Sequence, residues 1–146
     1  MNPNPADAAG ILEPVNRLLA AVNAHDLDTL ADCFVEEYVN ETPVHPRRGF
    51  TGRAQVRANW AQLFSGIPDL HGTITGTAID GDRVWSEWSL NGTRLDGSAH
   101  TMAGVVIFTV HGDVFTAARF FLEPVETGSG GVDDAVRRQA MGETEP

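Results

Sequence analysis

Three glycine-centred turns, Asp80-Gly81-Asp82, Asp96-Gly97 and His111-Gly112-Asp113, cut the second half of the chain into stretches of two-residue periodicity. Glycine supplies the positive φ that tight hairpin turns demand, so each turn joins antiparallel neighbours. Thr73, Thr75 and Thr77 alternate with Ile74, Gly76 and Ala78, and further strands are predicted over 83–91, 99–110 and 114–123. Such a meander must bury one face against something else.

The first half supplies the cover, because its apolar period is 3.6 rather than 2. Ile11, Val15, Leu18, Leu19 and Val22 form one stripe of a helix whose first turn holds Pro14. Asp26 is placed to cap a second helix bearing Leu27, Leu30, Ala31 and Phe34. Residues 38–43 read as a short strand closed by Pro43, and 45–52 as a loop. Val56, Trp60, Leu63 and Phe64 mark a third helix, stopped by Gly66 and Pro68. Three N-terminal helices followed by a curved antiparallel sheet define an α+β domain, expected over 11–126. Residues 1–10 are expected to be a flexible N-terminus. Thr127-Gly-Ser-Gly-Gly opens a flexible C-terminal tail, 127–146, with the spacing of one short helix at 132–141.

Composition narrows the chemistry. The net charge is −10, which disfavours nucleic-acid and anionic-membrane partners. All ten basic residues are Arg, so lysine Schiff bases, a pyridoxal-phosphate anchor and a Walker lysine are excluded. Cys33 is the single cysteine, which rules out an internal disulfide and a multi-cysteine zinc site. The histidines, at 25, 45, 71, 100 and 111, form no close pair, and no metal or cofactor motif is present. No apolar run reaches the ~20 residues of a membrane span. The start lacks a secretory signal, so a cytoplasmic location is expected.

Several strings together resemble the SnoaL-like branch of the nuclear transport factor two-like superfamily. They are Ala20-Ala-Val-Asn-Ala-His-Asp-Leu-Asp, Pro43 with Gly52-Arg53, Phe64-Ser-Gly-Ile-Pro-Asp-Leu, Val84-Trp-Ser-Glu-Trp-Ser-Leu-Asn-Gly-Thr and Arg119-Phe-Phe-Leu-Glu-Pro-Val-Glu. The resemblance covers residues 11–126 and implies a cone, a curved sheet around helices with an apolar pocket inside. Such folds include cyclases, isomerases, epoxide hydrolases, dehydratases and plain binding modules, so function is argued from the site. Matched to ketosteroid isomerases, the oxyanion-hole tyrosine is replaced by Leu18, the base by Thr42 and the second acid by Val106. Matched to limonene-type epoxide hydrolases, the Arg and two Asp positions hold Trp88, Leu90 and Phe120. For the late pocket acid of SnoaL-type cyclases, the nearest carboxylate is Glu123.

The same matching sets the facing of the strands. Val106 inward carries His100, Met102 and Phe108 with it; Trp88 brings Ser86 and Leu90; Phe120 brings Ala118 and Leu122. The first strand offers either Val39 with Glu41, or Asn40 with Thr42, and the first set is favoured. Glu41 inside an apolar cone would have its pKa raised by desolvation, as a general acid or poised base needs. His100 is its expected partner, since imidazole titrates near neutrality. Trp60, Trp88, Met102, Phe108 and Phe120 would wall the cavity. The expected function is binding of a small apolar molecule, with cofactor-free acid–base chemistry of isomerase, cyclase or dehydratase type. A non-catalytic binding or dimerisation module is the alternative, and an epoxide hydrolase-like enzyme lacking its usual acids a further one. The opposite sheet face, with Trp85, Glu87, Arg119 and Phe121, mixes aromatics with charges and is expected to form a homodimer.

Overall fold

The computed structural model describes residues 5–142, with side chains from residue 8. The ends of the two expected flexible segments, 1–4 and 143–146, lie outside the described residues.

Helix α1, Pro5–Ala24, begins before the predicted Ile11 start. Pro14 therefore lies in the helix interior, where its ring forgoes the bond to the Gly10 carbonyl, rather than in the first turn. Helix α2, Leu27–Asp32, is capped by Asp26, whose carboxylate accepts from the Thr29 N–H at 3.1 Å. Phe34 is not on this helix. It opens strand β1, Phe34–Glu41, pairing in register with Phe115. A 3-10 turn, Pro46–Arg48, and a two-residue strand β2, Phe50–Thr51, occupy the predicted loop. Helix α3 spans Arg53–Gly66. Strands β3 (His71–Asp80), β4 (Arg83–Thr93), β5 (Ala99–His111) and β6 (Val114–Pro124) then form the meander. Helix α4, Val132–Met141, follows a glycine-rich linker and has no buried residue.

The six strands lie in the order β2-β1-β6-β5-β4-β3. All neighbours are antiparallel except β1 and β6, which run parallel, so the sheet is mixed, curved and unclosed. Helices α1, α2 and α3 pack on one face, giving the α+β cone. The core is built from α1 (Val15, Leu18, Val22), α2 (Leu30), β1 (Phe34, Tyr38) and the inward residues of β4, β5 and β6, including Trp88, Val106, Phe108 and Phe115. Burying each such side chain contributes about 1.5–3 kcal/mol. The Asn23 side chain locks the end of α1 to the sheet. It accepts from the Gly72 N–H at 2.7 Å and donates to the Gly72 carbonyl at 3.0 Å.

Strands β5 and β6 approach closely at Gly104, where φ is +148° and an added Cβ would lie 2.1 Å from the Phe121 carbonyl oxygen. Only glycine tolerates both conditions. Among the described residues no helix is long and apolar enough to cross a membrane.

Candidate functional site

Inward-facing side chains are fixed by two registers. From Arg83↔Thr109 to Thr93↔Ala99 the β4–β5 pairing is unbroken, so Leu90 lies opposite Met102 and Ser86 opposite Val106. The parallel β1–β6 pairing sets Asn40 beside Ala118 and Glu41 beside Arg119. Ala118 is buried, whereas Arg119 faces out. Asn40 therefore points in, and Glu41 points out.

Between the sheet and α3 lies a cavity of about 250 Å³. Helix α3 contributes Val56, Asn59, Trp60 and Leu63; β1 and its continuation contribute Phe34, Tyr38, Asn40 and Thr42. Arg48 and Phe50 stand at one side, and Leu90, His100, Met102, Phe120 and Leu122 form the sheet wall. A wider groove of about 720 Å³, open to solvent, adjoins it along the end of α3 and the β4–β5 turn, sharing Asn59 and Leu63.

Trp60, Leu90, His100, Met102 and Phe120 reach this cavity together. Glu41, the expected carboxylate, does not: its side chain is 59% exposed on the outer face, 4.0 Å from Arg119. Val39 is likewise exposed outside. Trp88, Ser86, Leu18, Val106 and Phe108 face inward but are core rather than cavity lining. Trp88 is held there by its indole N–H, which donates to Ser86 Oγ at 2.8 Å, while Ser86 donates to the Val106 carbonyl at 2.7 Å. Glu123 does not line the cavity either; its Oε1 lies 2.9 Å from His45 Nε2 at the start of the Arg48 turn. His25 is structural: it stacks on Phe64 at 4.3 Å, with Nε2 2.8 Å from the Leu70 carbonyl.

Asn40 and Thr42 form a directional relay with Tyr38. The Tyr38 hydroxyl donates to Asn40 Oδ1 at 2.7 Å, and Asn40 Nδ2 donates to Thr42 Oγ1 at 3.4 Å. Burial pushes the Tyr38 phenol well above its ordinary range, so it remains a donor. Each hydrogen points the same way along the chain, and the Thr42 hydrogen is left for a partner in the cavity.

His100 is held neutral. Burial is the larger cause lowering its pKa from the ordinary imidazole value, and the Arg94 charge adds to it. Arg94 Nη2 lies 3.5 Å from His100 Nδ1. A guanidinium only donates, so Nδ1 accepts and the ring proton sits on Nε2. Arg94 is itself tied to the Ala99 carbonyl at 2.5 Å and to Ser98 Oγ at 3.3 Å. The cavity thus has an apolar wall, a neutral N–H donor, a hydroxyl donor, the Asn40 and Asn59 amides and one cation, and among the described residues no Asp or Glu lines it. Among the described residues no group of three or more His, Cys, Asp or Glu side chains is positioned to hold a metal.

Several of these positions escaped the sequence reading. Asn59 carried a signal: it lies three residues after Val56 and four before Leu63, on the apolar stripe of α3. A polar residue on such a stripe marks a wetted or functional spot. On β1 the adjacent Glu36 and Glu37 fall on opposite parities, so the glutamates do not mark which face is outer. Arg48, inside a loop with no period, gave no such signal.

No curated protein matches the chain. Among solved structures, one from Novosphingobium aromaticivorans, described as a candidate aromatic ring hydroxylase, is 22% identical, with a TM-score of 0.72, covering 92% of this chain and 99% of that one. A candidate SnoaL-like polyketide cyclase from Jannaschia sp. CCS1 is 22% identical, with a TM-score of 0.69 and coverage of 84% and 90%. A hypothetical protein of ketosteroid isomerase-like fold from Catenulispora acidiphila, in complex with trimethylamine, is 23% identical, with a TM-score of 0.62 and coverage of 73% and 82%. At these identities the likeness concerns the fold. The SnoaL-like domain family matches residues 15–117, and the chain belongs to that family.

Proposed function

We propose that the cavity binds a small, largely apolar molecule carrying a carbonyl oxygen, and that His100 polarises that oxygen as a neutral hydrogen-bond donor. The observation carrying this reading is the imidazole itself: it lines an otherwise apolar cavity with Nδ1 committed to Arg94. A neutral N–H aimed at a developing oxyanion lowers the barrier to proton loss beside a carbonyl. Cyclisation, isomerisation and dehydration all pass through such a step. With Glu41 outside, the cavity supplies no carboxylate base, so water or the substrate takes up the proton.

The test uses 1-tetralone, a bicyclic ketone, in deuterated buffer. NMR reads both its binding and the exchange of its α-hydrogens. Exchange faster than buffer, with His100→Gln removing the acceleration while binding persists, supports the catalytic reading. Binding with exchange at the buffer rate would establish the second reading, a non-catalytic binding module. The outward Glu41 favours that second reading.

The outer sheet face is the surface for a second copy. Trp85 and Val39 are each 42% exposed there. The Arg83 and Arg119 guanidinium groups lie over Trp85 and Phe121 at 5.6 and 5.9 Å from the ring centres. Among the described residues Trp85 and Val39 remain uncovered on this face, and burying it in a twofold contact would match the makeup of protein interfaces. Sedimentation at micromolar concentration tests this; a single species of monomer mass would refute it.

A further inference from the structure

We infer that the ligand is a one- or two-ring molecule bearing an anionic oxygen, a carboxylate or phenolate, which docks on Arg48 at the cavity mouth. This rests on the reading of the cavity as a ligand site and adds to it the ligand's size and charge.

Size comes from volume. A dry cavity of about 150 Å³ accepts benzene, whereas drug-sized ligands occupy about 300–1,000 Å³. The space of about 250 Å³ fits a substituted single ring or two fused rings.

Charge comes from the polar groups that reach the cavity. The Thr42 hydroxyl ends the relay from Tyr38 with its hydrogen unspent, because Tyr38 gives to Asn40 and Asn40 gives to Thr42. His100 offers Nε2–H, since Nδ1 faces a guanidinium. Arg48 offers only donors and a full positive charge. Asn40 Oδ1 already accepts from Tyr38 and Asn59 Oδ1 from Gln55 at 2.8 Å, which leaves one lone pair on each. Donors, with the Arg48 guanidinium foremost, outnumber the remaining acceptors among these groups, which favours a ligand rich in acceptor oxygens.

Arg48 is also placed for this role rather than merely solvated. Its turn is pinned from both ends: the His45 N–H donates to the Thr42 carbonyl at 2.8 Å, and the Arg48 N–H donates to the His45 carbonyl at 2.9 Å. His45 in turn contacts Glu123 on β6. Arg47, the adjacent cation, does not line the cavity. Among the described residues none of the ion pairs involves Arg48. In a chain of net charge −10, one unpaired cation at the mouth of an apolar cavity is a local exception to a field that repels anions. A ring carboxylate would seat its apolar body against Trp60, Met102 and Phe120 and its head on Arg48.

The experiment compares 1-naphthoate with 1-naphthamide, which has nearly the same shape and no charge, by calorimetry at low salt. Wild type should bind naphthoate tighter by roughly threefold to tenfold, the range for a partly exposed charge-assisted contact. Arg48→Met should erase the preference, and Arg47→Met should preserve it. Equal binding of the two probes, or a preference that survives Arg48→Met or falls equally in Arg47→Met, overturns the proposal. In those cases naphthamide binding leaves the cavity reading intact. Binding of neither probe refutes both.

Discussion

Removing the Tyr38 hydroxyl gives the most direct measure of the relay. Tyr38 is 1% exposed and Asn40 8%, and their contact is 2.7 Å. Tyr38→Phe deletes the donor but leaves Asn40 Oδ1 buried with no partner. An abandoned buried acceptor costs about 1–3 kcal/mol, more than the net worth of an intact hydrogen bond. For a domain of this size about 3–4 °C accompanies each kcal/mol, so Tm should fall by about 3–12 °C. Asn40→Leu should cost a similar amount, because it strands the Tyr38 hydroxyl. The double variant Tyr38→Phe/Asn40→Leu leaves neither group unpaired and should lose clearly less than the sum, with a coupling of about 1 kcal/mol or more. Urea unfolding of the four proteins gives all the terms. Additive losses, or a Tyr38→Phe midpoint equal to wild type, would show that Asn40 Oδ1 has another donor and that the relay does not exist.

Gly104→Ala should destabilise by about 3 kcal/mol or more, read from the urea midpoint, because the new methyl meets backbone at a φ that alanine avoids. Glu41→Gln should change stability by less than ~0.5 kcal/mol and leave 1-naphthamide binding unchanged, since Glu41 faces solvent beside Arg119. The His100 ring should titrate below the ordinary ~6.5 in an NMR titration, and Arg94→Gln should raise its midpoint only partway, since burial is the larger cause. Folding favours neutral His100, so its contribution is full above the unfolded pKa and is lost as pH falls through the depressed folded value. His100→Gln should therefore flatten the decline in stability below about pH 6.5.

Periodicity made most of the architecture legible. The stripe from Ile11 to Val22 lies on α1, Val56 to Phe64 on α3, and the three glycine turns join the four strands of the meander. Two features had no local signature. Phe34 sits where a helical stripe and a strand overlap, and pairing with Phe115, far along the chain, decides for the strand. The phase of β1 is likewise set by β6, through Asn40 beside Ala118. Proline-anchored matching instead placed Glu41 inward, and a one-residue difference in phase reverses every side chain. On β5, His100 and Met102 reach the cavity in the expected alternation, because the β4–β5 register has no bulge. Trp88 shares that inward face yet is sealed under Ser86 and Val106, a matter of depth that alternation does not encode.

The parallel pairing of β1 with β6 also constrains how the chain reaches its folded state. β1 is the first strand made and β6 the last, and residues 42–113 intervene between them. A loop of that length must close before the contacts of Phe34 and Asn40 with the far end of the sheet give any return, so folding should be slow relative to helical domains of equal stability. During synthesis α1, α2 and β1 emerge with Phe34 and Tyr38 uncovered until Val114–Pro124 leaves the ribosome. The junction of β1 with the rest of the sheet then forms late. Nascent chains stopped before β6 should be the species most in need of chaperone protection, and a slow refolding limb in stopped-flow kinetics would be its signature in vitro.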